Sequence, residues 1–247
     1  DINGDLSLVG TSALTAADDG SVVSMTGAST QAISVADDSY CEFGDLTING
    51  AGVTTASSFT LKDILTTTAG AFTASAGTVT FNPAVASVLW AATGAITFND
   101  VILNLSNNGT PATSVVIKGD LTKIGASNFA PTAGTVTFTN TNLSGKTMQL
   151  VGGTNSFVNL AVSAGSKLTT SSDFTIGDPG TVATAAALSV ASSASFICQT
   201  GTVSIVSNSA TISNSGTLEF NNLTNAENAL NSLKFTKETQ HTALNNK

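Results

Sequence analysis

The chain has 247 residues, eight lysines and no arginine, a formal net charge of -8, and only 10% charged residues. Nucleic-acid affinity comes largely from Lys and Arg neutralising phosphates, so that class of partner is excluded. No run of about 18 apolar residues occurs, which excludes a transmembrane helix.

Ser and Thr make up more than a quarter of the chain, and Thr, Val, Ile and Phe recur in short alternating runs bounded by Gly, Asn and Ser. That is the composition of short strands joined by turns. A hydroxyl-rich, sparsely charged and acidic surface fits an extracellular or cell-surface protein.

Three elements recur in a fixed order along the chain. The first is an aliphatic residue two or three positions before Asp, seen as Ile2 with Asp5, Leu61 with Asp63, Ile117 with Asp120, and Ile176 with Asp178. The second is Gly-[Ser/Thr]-Val, seen as Gly20-Ser21-Val22, Gly77-Thr78-Val79, Gly134-Thr135-Val136 and Gly201-Thr202-Val203; Phe72, Phe129 and Phe196 stand five residues before the last three copies. The third is Phe-x-[Asp/Asn]-aliphatic, in Phe43 to Leu46, Phe98 to Val101, Phe157 to Leu160 and Phe220 to Leu223. Its copies follow one another at intervals that lengthen slightly along the chain, and a period of this size marks stacked repetitive units.

Period-two alternation in Thr78 to Phe81 and in Val101 to Leu105 reads as half-buried strand. Phe98 and Val101 are an odd number of positions apart, so both face the core only where the chain bends between them. Asp45, Asp100, Asn159 and Asn222 are therefore expected at equivalent corners, bonding backbone groups that the corner frees. Phe43, Phe98, Phe157, Phe220, Val79, Phe81, Val136 and Phe138 are expected in the core.

The expected fold is all-β: a parallel β-solenoid of about four 58-residue repeats at 1–58, 59–115, 116–173 and 174–231, followed by a tail or docking segment at 232–247. Two turns per repeat, with three strands each, would take about 29 residues per turn. The alternative is two β-sandwich domains.

Gly-Thr-Val-Thr-Phe followed by Phe-x-Asn-Leu resembles the β-helical repeat regions of secreted bacterial and archaeal surface proteins, the adhesin, autotransporter-passenger and surface-fibre types. The resemblance covers most of residues 1 to 231. It implies a structural or adhesive role rather than a particular ligand.

Few constellations suggest chemistry. Cys41 and Cys198 are expected as two buried free thiols, about five turns apart and beyond disulfide reach. His241 is the only histidine, so neither a histidine-based triad nor a multi-histidine metal site is available. Asp18-Asp19 and Asp37-Asp38 read as solvated turn residues. The repeated Asp residues follow the corner rather than a paired-carboxylate geometry, so the chain is read as no enzyme and no cofactor is expected. Asn108 and Asn142 begin sequons and are candidate glycosylation sites. Ice binding needs Thr in register over several turns, and beyond Thr66-Thr67-Thr68 no such column is visible in the sequence.

Residues 1 to 61 hold eight acids and no lysine, whereas residues 62 to 247 hold eight of each. The expected function is that of a subunit in a self-assembling fibre, sheath or surface layer, joined to itself head to tail by strand addition through Ile2, Leu230, Leu233 and Phe235. The alternative is a stalk or adhesive segment of a large adhesin, with contact to a cell surface or polysaccharide.

Overall fold

The computed structural model describes residues 1–15, 20–85, 88–140, 145–177, 186–207, 210–225 and 234–236. Among these no helix occurs, and every strand pair is parallel. The chain is a three-sided β-solenoid, and the β-sandwich alternative, built from antiparallel sheets, is excluded. Its first side is an eleven-stranded sheet running from Leu6–Leu8 to Lys234–Thr236; its second is a ten-stranded sheet from Ala13–Leu14 to Thr217–Glu219. Ten inter-strand steps make the first side about 48 Å long.

The third side comes in two pieces of four strands, ending at Trp90–Ala92 and resuming at Ser156–Phe157. Between them it is carried by single bridges, Gly109 to Phe129 and Phe129 to Asn155. Pro111 and Pro131 lie in these bridging segments. Proline cannot donate to a ladder, which accounts for the break.

Turns are shorter than expected and unequal. Val53 pairs with Phe72, whereas Leu160 pairs with Leu188, a turn nearly half as long again. Strand length hardly varies, so the difference is taken up by the connections.

This unequal winding changes what the repeat means. Phe43-Gly44-Asp45 rounds the corner from second to third side, Phe98-Asn99-Asp100 from first to second, Phe157-Val158-Asn159 from third to first, and Phe220-Asn221-Asn222 from second to third again. Each repeat thus spans eight side-lengths of a three-sided coil, or two and two-thirds turns. Eight is not divisible by three. Equivalent residues therefore step to a different corner in each copy, and the expectation of equivalent corners is corrected.

The Gly-Thr-Val strand stacks directly beneath the following [Asp/Asn]-aliphatic strand: Thr78 against Asp100, Thr135 against Asn159, Thr202 against Asn222. In the first copy it is Val22 that pairs with Asp45. Val22 is accordingly outward and 57% exposed, whereas Val79 is buried. The first copy is Ser21-Val22-Val23, shifted by one residue from Gly20-Ser21-Val22.

Inward-pointing residues form one continuous core. Its axis is a chain of ring contacts linking Phe43, Phe59, Phe72, Phe98, Trp90, Phe129, Phe157, Phe174, Phe196 and Phe220 at centroid distances of 5.4 to 6.2 Å. The edge-to-face pairs among them, such as Phe43 with Phe59 and Phe157 with Phe174, add about 0.5–1.5 kcal/mol each beyond burial. Phe81, Val136 and Phe138 are buried, and Phe220, at the upper end, is only half-buried.

Candidate functional site

The repeated polar residues are spent on joining turns. Asp45 Oδ1 accepts the Ile64 amide at 3.3 Å, and Asp100 Oδ1 accepts the Asp120 amide at 2.7 Å. Asp5, Asp120 and Asp173 make the same upward bond, at 2.7 Å, to the amides of Ala32, Thr147 and Thr202. A carboxylate only accepts, so it serves N–H groups of the following turn. An amide also donates: Asn99 and Asn159 reach down to the carbonyls of Gly77 and Gly134 at 3.1 and 3.2 Å, and Asn221 to Thr200 at 2.9 Å. Asn222 is exposed. In the fourth copy it is the preceding Asn221 that bonds across the turns.

One core position is occupied by a cation. The strand Leu121–Ile124 points Lys123 inward, fully buried, and leaves Ile124 41% exposed. Its Nζ donates to the carbonyls of Gly125 and Val151, each at 3.0 Å, and to Gly152. Three donors meet three acceptors, and the ammonium bonds two adjacent turns together. Burial pushes its pKa down. Sequence reasoning missed this residue; its signal was the reversal of alternation at Lys123-Ile124 followed by Gly125, which sits at φ +96°.

On the second side, the buried carboxylate of Glu42 accepts the Tyr40 hydroxyl at 2.6 Å and faces Lys62 Nζ at 3.5 Å. The bond to Glu42, and then burial, raise the Tyr40 pKa. Cys41 and Cys198 are free and buried. They stand on second-side strands seven steps apart, about 34 Å, rather than five turns apart. Burial pushes the Cys41 thiol up to about 12 and raises that of Cys198.

Asn108 is exposed, with its Oδ1 accepting the Asn128 amide at 3.0 Å. Asp37 and Asp38 are exposed turn residues. Asn142, Asp18, Asp19, Asp178, Leu230, Leu233 and His241 lie outside the described residues. Ile2 bridges Met25 at the lower rim of the third side, and Phe235 pairs with Ile212 in the last strand of the first. Among the described residues no group of three or more His, Cys, Asp or Glu is placed to hold a metal ion. No helix there is long and apolar enough to cross a membrane.

The first side carries a column that the sequence does not reveal. The outward residues Ala32, Thr54, Thr73, Thr97, Val116, Thr137, Ala161, Ser189 and Ser213 are paired in register, each beneath the next. The expectation that no Thr column exists is thereby corrected: hydroxyl residues stack over successive turns, interrupted by Val116 and Ala161. None of the first-side strands from Leu6–Leu8 to Thr211–Asn214 contains a charged residue, whereas the second side has Glu42, Asp100, Lys146, Lys167 and Glu219.

Beside this column, where the third side is broken, a crevice of about 540 Å³ opens at the corner between third and first sides. Thr93, Gly94, Ala95, Thr113, Ser114 and Thr137 line it, and none of its lining residues is charged. Thr113 Oγ1 is shielded from solvent and has no hydrogen-bond partner.

Comparison with protein-family models, with curated proteins and with solved structures finds no match for this chain.

Proposed function

We propose that this chain is a structural protein of extracellular surfaces, a rigid coil that joins head to tail by strand addition into a fibre, sheath or surface layer. The observation that carries this reading is where the repeat spends its polar groups. Asp45, Asp100 and Asn159 bond neighbouring turns, and the eight-side repeat turns successive copies to different corners. A repeat that encoded a row of binding or catalytic groups would bring them to one face. This one preserves a core and its corners, which is what a rod requires.

Strand addition has a physical basis in the outermost strands of the first side, Leu6–Leu8 below and Lys234–Thr236 above, each of which has one paired neighbour among the described residues. Unpaired edges are templates for another chain. The acidic stretch from Asp1 to Leu61, with eight acids and no lysine, suits a partner end that carries lysine, as Lys234 and Lys237 do.

Negative-stain microscopy of the full chain and of a form lacking residues 226–247 tests this. Filaments from the full chain and isolated short rods from the shortened one are expected. Filaments that persist unchanged after the deletion would contradict head-to-tail docking through this segment.

The second reading is a stalk or adhesive segment within a larger surface protein. It is favoured by the uncharged first side, which is a surface feature rather than an end feature. Isolated rods from both forms would favour it.

A further inference from the structure

We propose that the first side binds an extended, neutral, β-1,4-linked polysaccharide chain, anchored in the crevice beside Ala95 and running along the column of hydroxyls. The repeat itself does not produce this surface. Because equivalent positions rotate through all three sides, a property inherited from the repeat would appear on each of them. The strands of the first side from Leu6–Leu8 to Thr211–Asn214 hold no charged residue, whereas the second side has several and the third has Asp45. The strand-opening position that is Asp45 on the third side and Asp100 on the second is Asn159 on the first.

Chemistry narrows the ligand. Strands without charge offer phosphate or carboxylate groups hydroxyl donors but no cation, and burying such groups against them would leave their charge unneutralised. Hydroxyl side chains stacked at the strand spacing of about 4.8 Å, interrupted by Val116 and Ala161, match a polymer that presents hydroxyls and C–H faces at a similar advance per ring. Thr54, Thr73, Thr97, Thr137, Ser189 and Ser213 supply this ladder. The crevice adds depth for a protruding hydroxymethyl or acetamido group. A flat second copy of the rod, or an ice surface, would use the column and leave the crevice empty.

The test is titration calorimetry and NMR on the full chain with cellohexaose, chitohexaose and a galacturonate hexamer as probes. At least one neutral hexasaccharide should bind, and the galacturonate hexamer should not. Ala95→Trp, which fills the crevice, and Thr97→Lys, which puts a charge in the column, should each weaken binding about tenfold. Thr80→Lys on the second side should change it by no more than about twofold. Thr137→Lys replaces either variant if circular dichroism shows that it has not folded.

Failure of both neutral probes to bind overturns the proposal, as does equal binding of the galacturonate hexamer. An effect of Thr80→Lys as large as that of Thr97→Lys does the same. Thermal hysteresis or lateral pairing of rods without glycan binding would assign the column to ice or to a second copy. Filament formation is read separately by microscopy, so loss of glycan binding with filaments intact leaves the structural role standing.

Discussion

Asp100 Oδ1 accepts the backbone N–H of Asp120 at 2.7 Å, and Asp120 Oδ1 repeats the bond one turn further on, to Thr147. Two carboxylates thus splice three turns at one corner. Asp100→Ala strands the Asp120 amide and should cost about 1–3 kcal/mol, read from the urea midpoint. Asp100→Asn keeps an acceptor in place and should recover most of the loss. Equal destabilisation by the two substitutions would mean that the bond itself contributes little.

Asp45 gives the corners a pH dependence of definite sign. Burial raises its pKa above the ordinary 3.8, while the Ile64 amide pulls in the other direction. The folded chain therefore holds this proton more tightly than the unfolded one. The stability it contributes is fully present below the ordinary carboxylate value and is lost as pH rises through the raised one. Asp45→Asn, which is neutral at every pH and still accepts a hydrogen bond, should be more stable than the native chain at pH 7. The gap should close by about pH 3. Urea midpoints at both pH values decide, and a gap that persists at low pH would contradict the assignment.

Lys123 is expected to hold two turns together through its ammonium rather than through its methylenes. Lys123→Met keeps the volume but leaves the Gly125, Val151 and Gly152 carbonyls without their donor. A loss of about 3 kcal/mol is expected from chemical denaturation. Lys123→Ala should lose more, because a cavity is added. A Met variant as stable as the native chain would show that the carbonyls find other partners.

Aromatic truncation should be costly in the middle of the rod and mild at its upper end. Phe98 touches the rings of Phe72, Phe81 and Trp90 and is fully buried. Phe98→Ala should cost about 3–5 kcal/mol. Among the described side chains Phe220 meets the ring of Phe196 alone, and it is half-buried, so Phe220→Ala should cost clearly less. Comparable losses would contradict the gradient in packing.

Much of this architecture is legible locally. Alternation in Thr78 to Phe81 announces a strand, and the odd spacing from Phe98 to Val101 announces a bend. What local pattern cannot supply is the register between turns, because connections of different length set it. The repeat conceals the turn for the same reason: eight sides recur in sequence while three close the coil. The Thr column is invisible until Thr54, Thr73 and Thr97 are paired, because their spacings along the chain are unequal. Lys123 was hidden by the ordinary expectation that lysine faces water.

The eight-side repeat on a three-sided coil is tested most directly by a distance along the first side. With Cys41 and Cys198 replaced by Ala, spin labels at Thr54→Cys and Ser189→Cys stand on strands six steps apart, although more than half the chain separates them in sequence. Pulsed electron paramagnetic resonance should give one narrow distance population at about 29 Å. A population centred at about 22 Å, which turns of about 29 residues would place there, or a broad distribution, would contradict this winding.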